Sequence, residues 1–294
     1  MKVCSKETEV RRCRPLLGTF VEITARGLPS ARLHTAIDTA FAAVERVQAR
    51  MSFHEETSDI TRLNRLAVRR AVAVDEWTFT VLADAGRIAQ LSGGAFDITV
   101  APTLVSWGLL PRPPGRRWNR AASWEDIELL PNNRVRFRRA LAVDLGGIAK
   151  GFAVDQAVAA LQTAGAQAGL VNAGGDLRVF GEVARKIHIR HPAHPGLLLP
   201  FFNLRDEAVA TSSPGFSRRP WRGRIVSHLV HAATRTPHLA PVSVSVRAPR
   251  CALADALTKV VLAAEPLAEP VLAAFGAHAL VLATEEMKIS ELAA

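Results

Sequence analysis

The sequence has 294 residues, 49% of them hydrophobic, and its 37 Lys and Arg against 27 Asp and Glu give a net charge of +10. That length and apolar content supply a large core and exclude a disordered chain. The surplus charge suits an anionic partner, but no basic stripe with interleaved aromatics supports nucleic acid, and Cys4, Cys13 and Cys251 lack the spacing of a disulfide framework or a zinc site.

Segment 1–14 is polar and basic, without the apolar centre of a secretory signal, and no apolar run is long enough to span a bilayer. The sequence as given therefore reads as cytoplasmic; an export segment missing from it would place the protein outside the cytoplasm. Residues 16–25 alternate and are β-branched, which predicts a first strand. Leu33, Ala36, Ile37, Ala40, Phe41, Val44 and Val47 recur at three- and four-residue steps, the mark of an amphipathic helix over 32–50. Ser58 is set to cap a short helix to Leu66, and Asp75 a longer one to Leu91. Residues 110–120, rich in Pro, Gly and Arg, predict a loop, and 127–137 a hairpin around Pro131-Asn132-Asn133. A helix is expected over 150–164, closed by Gly165. Strands are expected over 169–172, 177–180, 187–190, 197–204, 208–211, 225–231 and 242–246. Helices near 253–262 and 266–275 and a strand at 279–283 finish the chain. Helices dominate the first half and strands the middle, which predicts an α+β class in one unit.

Three segments place Gly beside a carboxylate, Gly93 to Thr99, Val143 to Asp155 and Val171 to Asp176, and a fourth, Ala254 to Leu257, sets Asp255 among apolar residues at the opening of a helix. In the second, a strand ending at Asp144 is expected to turn through Gly146-Gly147 into a helix starting near Lys150. Glycines admit a ligand to the backbone, and helix-start N–H groups with a Lys suit phosphate oxygens. Two readings of Asp144 stay open: it accepts a hydrogen bond from a ligand, or it caps the helix.

Taken in order, these segments resemble the FAD:protein FMN transferase (ApbE) family across 15–283. Leu17-Gly18-Thr19 is similar to its MGT motif. Met51-Ser52 with Ser58-Asp59-Ile60-Thr61-Arg62-Leu63-Asn64 is similar to MS…SELSRLN, and Gly94 to Thr99 to GAFDPT. Val143 to Asp155 matches IDLGGIAKGYAVD nearly throughout, Asn172 to Asp176 matches NAGGD, and Ala210-Thr211-Ser212 stands at ATSG. His228-Leu229-Val230 stands at HII and Ala254 to Leu257 at ADAL.

The resemblance implies an α+β, T-fold-related unit over 15–294, with helices and antiparallel sheets in two lobes around a cofactor cleft. It implies FAD as substrate and Mg²⁺ at its pyrophosphate. A Thr or Ser hydroxyl of an acceptor protein would take FMN, with AMP leaving; some members hydrolyse FAD instead. By position, Leu17, Ala95, Phe96, Asp97, Asp144, Lys150 and Leu229 would contact FAD. The Gly147 carbonyl and Asp255 would hold the metal, Asp255 thereby serving catalysis, and His228 would take the hydroxyl proton.

Three departures fall at this end of the chain. Lys259 replaces a Thr that gives the metal another oxygen, and at one helical turn from Asp255 it either pairs with that carboxylate or extends away. Weakened Mg²⁺ binding is expected in either case. HIIDPxTG reads His228-Leu229-Val230-His231-Ala232-Ala233-Thr234-Arg235, and the Gly of ATSG is Ser213. These departures raise an alternative: a catalytically weakened FAD-binding protein or an FAD pyrophosphatase.

Overall fold

The computed structural model describes residues 8–283 and 289–292, apart from 116, 120, 193 and 195; Cys4 lies outside this set. Its frame is an eight-stranded, wholly antiparallel sheet. In sheet order the strands are Glu9–Leu16, Thr19–Arg26, Ala168–Ala173, Asp176–Phe180, Ala208–Ser212, Val242–Ala248, His278–Ala283 and Ile289–Leu292, which is also chain order. Helices α1 (Ser30–Met51), α2 (Asp59–Leu66), α3 (Glu76–Leu91) and α4 (Ala101–Ser106) fill the first half, and α5 (Ala149–Thr163) leads back to the sheet. The second half adds α6 (Pro214–Ser217), α7 (Cys251–Ala263) and α8 (Glu265–Ala274). The class is α+β.

Helices α1, α5 and α7 form a layer against the sheet. The apolar stripe of α1 is fully buried at Leu33, Ile37, Phe41 and Val44, each such side chain contributing about 1.5–3 kcal/mol by leaving water. Alternation along the strands sorts side chains to two faces. Asp176, Arg178 and Phe180 have the parity that meets the helices, as Arg178 does by pairing with Asp155 of α5 at 2.9 Å. Leu177 and Val179 join Val209 on the other face, under a hairpin of Arg185–Arg190 and Leu198–Leu204.

Helices α5 and α7 cross so closely that a Cβ on Gly151 would overlap the Cys251 carbonyl oxygen. The Asp155 carboxylate clamps the same crossing, accepting from the Cys251 and Ala252 N–H groups at 2.9 Å each. Those are the first two residues of α7, whose N–H groups have no partner within the helix. This clamp fixes where Asp255, one turn further, comes to rest.

Three sequence expectations change. The stretch 16–25 is not one strand: Leu17 and Gly18, at φ 56° and 70°, turn the chain between Glu9–Leu16 and Thr19–Arg26. Both central residues of this tight hairpin turn take positive φ. The earlier strand reaches back into segment 1–14, and its arginines obscured it. Arg14 binds Asp38 of α1 at 2.7 Å and lies over the Phe41 ring.

Ala142 to Asp144 belongs to no strand or sheet. The Asn64 side chain takes the place of a neighbouring strand, accepting from Val143 N–H at 2.8 Å and donating to its carbonyl at 3.0 Å. Asp144 N–H donates to the Ile98 carbonyl at 2.8 Å. The strand expected over 225–231 breaks into Arg224–Val226 and Val230–His231, because Ser227 Oγ accepts from Leu229 N–H at 3.1 Å and bends the chain between them.

Candidate active site

Helix ends and turns beside the sheet enclose a cleft of about 660 Å³, a size suited to a cofactor. Its walls include Leu17, Ala95, Phe96, Asp97, Asp144, Gly147, Lys150, His228, Leu229 and Lys259. Ten positions singled out from sequence thus face one space. The Leu17 corner is pinned there because its N–H donates to Gln48 Oε1 of α1 at 2.7 Å.

Asp144 stands free of the helix it was a candidate to cap: α5 begins after Ile148 with no side-chain cap. Burial raises its pKa to about 6, against the opposing effects of the Gly146 N–H and the His54 charge. A carboxyl held in apolar surroundings at the mouth of a Gly-Gly turn is an acceptor awaiting a donor.

Behind it lies a network of four charges. Lys150, at the start of α5, pairs with the buried Asp176 and approaches Asp255 Oδ2 at 3.9 Å. Burial alone would lower the Lys150 pKa, but the Asp176 and Asp255 carboxylates outweigh it and raise it. Burial likewise opposes ionisation of Asp255, and Lys150 and Lys259 overcome it to lower that pKa. Asp255 also accepts from the Gly151 N–H at 3.3 Å. Asp176 is the member that the sequence reading left without a role, since a carboxylate after Gly-Gly looks like an ordinary turn residue.

The metal ligands implied by the resemblance are the Gly147 carbonyl and the Asp255 carboxylate. Here the Lys259 ammonium binds Asp255 Oδ1 and also donates to the Asp255 carbonyl at 2.8 Å. Its stem runs beside Gly147, where a Cβ would lie 3.5 Å from Lys259 Cε. Among the described residues no group of three or more His, Cys, Asp or Glu is placed to hold a metal. These donors do not fit a divalent ion: the carboxylate meant for it is already paired with an internal cation.

Asp97 closes another side. Its two carboxylate oxygens accept from Thr99 N–H and Thr99 Oγ1 at 2.8 Å each, and Arg235 adds a bond at 3.1 Å. Arg235 sits in the turn between Val230–His231 and Thr236–Pro237. His228 lies at the cleft rim, on the loop after Arg224–Val226. The strand Arg224–Val226 pairs in a hairpin with Arg219–Trp221, which is anchored by Trp221, whose Nε1–H donates to the Ser106 carbonyl at 3.2 Å. Surrounding protein, then the Arg219 charge, lower the His228 pKa below its usual 6.5, so the imidazole is neutral at pH 7. His231, the residue at the expected Asp, stacks against His238 at 5.3 Å between ring centres.

The pattern that defines the ApbE family matches residues 17–280. The chain belongs to the ApbE family. It is 31% identical over 274 residues to an FAD:protein FMN transferase of Vibrio cholerae, covering 86% of this chain and 81% of that protein. It is 27% identical over 287 residues to a protein of the same description from Haemophilus influenzae, covering 88% and 82%. The fold is similar to the crystal structure of the ApbE protein from Thermotoga maritima, with a TM-score of 0.84 and 26% identity over 96% of both chains. The flavin transferase ApbE from Vibrio cholerae superposes with a TM-score of 0.80 at 28% identity, covering 97% of this chain and 96% of that one. Among the described residues no helix is long and apolar enough to cross a membrane.

Proposed function

We propose that this chain transfers the FMN half of FAD to a Thr or Ser hydroxyl of an acceptor protein and releases AMP. What carries the reading is one cleft lined by a Gly-Gly turn, two lysines and a neutral histidine: Gly146-Gly147, Lys150, Lys259 and His228. The acceptor oxygen forms a bond to the riboflavin-side phosphorus, and the bond from that phosphorus to the bridging oxygen breaks. The bridging electron pair leaves with AMP, and the hydroxyl proton passes to the His228 imidazole. Such a displacement mainly needs alignment and positive charge beside the phosphoryl oxygens. Lys150, held charged by its two carboxylates, and Lys259 supply that charge. No step requires the divalent ion that the residues around Asp255 do not accommodate.

Asp144, open to the same cleft, offers an acceptor to the flavin or its ribityl chain. The test is to incubate the purified protein with FAD and a flavin-accepting domain, then follow acceptor mass and AMP together. Equal amounts of FMN-labelled acceptor and AMP support transfer. AMP with unlabelled acceptor indicates FAD hydrolysis, and FAD retained unchanged indicates a binding protein; either would overturn the reading.

A further inference from the structure

We infer that Lys259 is the built-in cation of this active site, standing where a divalent ion would bind, so that the protein grips the FAD diphosphate without metal. The inference rests on the proposed FAD reaction and concerns how its charge is met.

Three observations carry it. First, the ammonium is already seated on Asp255 by two bonds, to Oδ1 and to the main-chain carbonyl at 2.8 Å. An ammonium has three donors, so one remains for a phosphoryl oxygen in the cleft that Lys259 lines. Second, both oxygens of Asp255 are already engaged by protein donors, and each faces a lysine. Oδ2 faces Lys150 at 3.9 Å and takes the Gly151 N–H at 3.3 Å. A divalent ion would have to break the Lys259 pair and then sit beside two ammonium groups in a buried setting.

Third, the neighbouring hydroxyl cannot take over the missing ligand role. Thr258 donates to the Asp255 carbonyl at 2.7 Å and meets Ser212 Oγ at 2.7 Å, on the sheet side of α7. The charges also close without an ion, because Lys150 and Lys259 face Asp176 and Asp255. A diphosphate then brings its negative charge to a site that already holds two fixed cations.

The test titrates FAD into the full-length protein by calorimetry, once in EDTA and once in excess Mg²⁺. It also titrates Mn²⁺ alone, read by electron paramagnetic resonance. The wild type should bind FAD equally in both buffers, within about twofold, and leave Mn²⁺ free. Lys259→Thr should lose about tenfold or more in EDTA, regain affinity in Mg²⁺, and bind Mn²⁺. Lys259→Met, which keeps the length but supplies no oxygen, should lose the same affinity and not regain it. Wild-type affinity that rises about tenfold with Mg²⁺, stoichiometric Mn²⁺ on the wild type, or a Met variant that binds FAD normally in EDTA would each overturn the inference while leaving FAD transfer standing. No FAD binding in either buffer would overturn both.

Discussion

Arg235 donates to Asp97 at 3.1 Å from a backbone position with φ 55°, where glycine sits without strain. The family pattern has glycine there, so the arginine accepts a backbone cost of roughly 1 kcal/mol to place its guanidinium on a cleft carboxylate. Removing it has two opposed effects. Arg235→Gly should relieve the backbone but leave a buried carboxylate with only the Thr99 donors, for a net loss of about 1–2 kcal/mol of stability. The freed Asp97 oxygen should tighten FAD binding by about threefold to tenfold. Thermal melting and flavin fluorescence titration of the one variant check both signs.

Asp144 sets a pH dependence. Its folded pKa of about 6 lies above the usual 3.8, so the native state keeps the proton longer than the unfolded chain does. Stability therefore falls as pH rises between those two values. Asp144→Asn should match the wild type near pH 4 and exceed it at pH 8 by about 1–2 kcal/mol, allowing for solvent on the cleft side. FAD affinity of the wild type should fall as pH drops through about 6, and that of the variant should stay flat. A wild-type affinity independent of pH would remove Asp144 from ligand binding.

His228 should separate binding from transfer. A neutral base is needed, and its lowered pKa keeps it neutral above 6.5, so the rate should rise with pH and level off by neutrality. His228→Asn should cut transfer by roughly 10²–10⁴ while FAD affinity stays within about twofold. Loss of FAD affinity in step with rate would make the histidine a wall of the pocket instead.

Asp155 never enters the cleft, yet the α7 start hangs on it. Asp155→Ala strips the acceptor from two buried N–H groups and from Arg178. The expected loss is about 3–5 kcal/mol, with a smaller loss for Asp155→Asn. Urea unfolding measures it; a loss below about 1 kcal/mol would mean that the helix start finds other partners.

Much of this was legible in the residues. The α1 stripe, the Ser58 and Asp75 caps and the Asn132-Asn133 turn each carry a local signal, and each forms as expected. The pairing of Lys259 with Asp255 also follows from four-residue spacing on a helix. What stayed hidden depends on distant partners. The Glu9–Leu16 strand reads as a charged tail until Asp38 is seen beneath its arginines. Val143 and Asp144 read as a strand because nothing local reveals that Asn64, 79 positions earlier than Val143, replaces the missing neighbour. Asp176 and Arg235 gain roles only from Lys150 and Asp97, residues brought near by the fold.

The contact at Gly151 leaves α5 and α7 no slack between them. One jaw of the cleft, bearing Lys150 and Lys259 with Asp255 behind them, is therefore an anvil whose spacing cannot drift. Under the proposed transfer, fitting acceptors that differ in shape would fall to the segment that carries His228, between two short hairpins, and Arg235, in the turn of the second. On that reading, changes in this segment would retune partner choice without disturbing the proposed seat for phosphate, while even one added methyl group at the crossing would pry that seat apart.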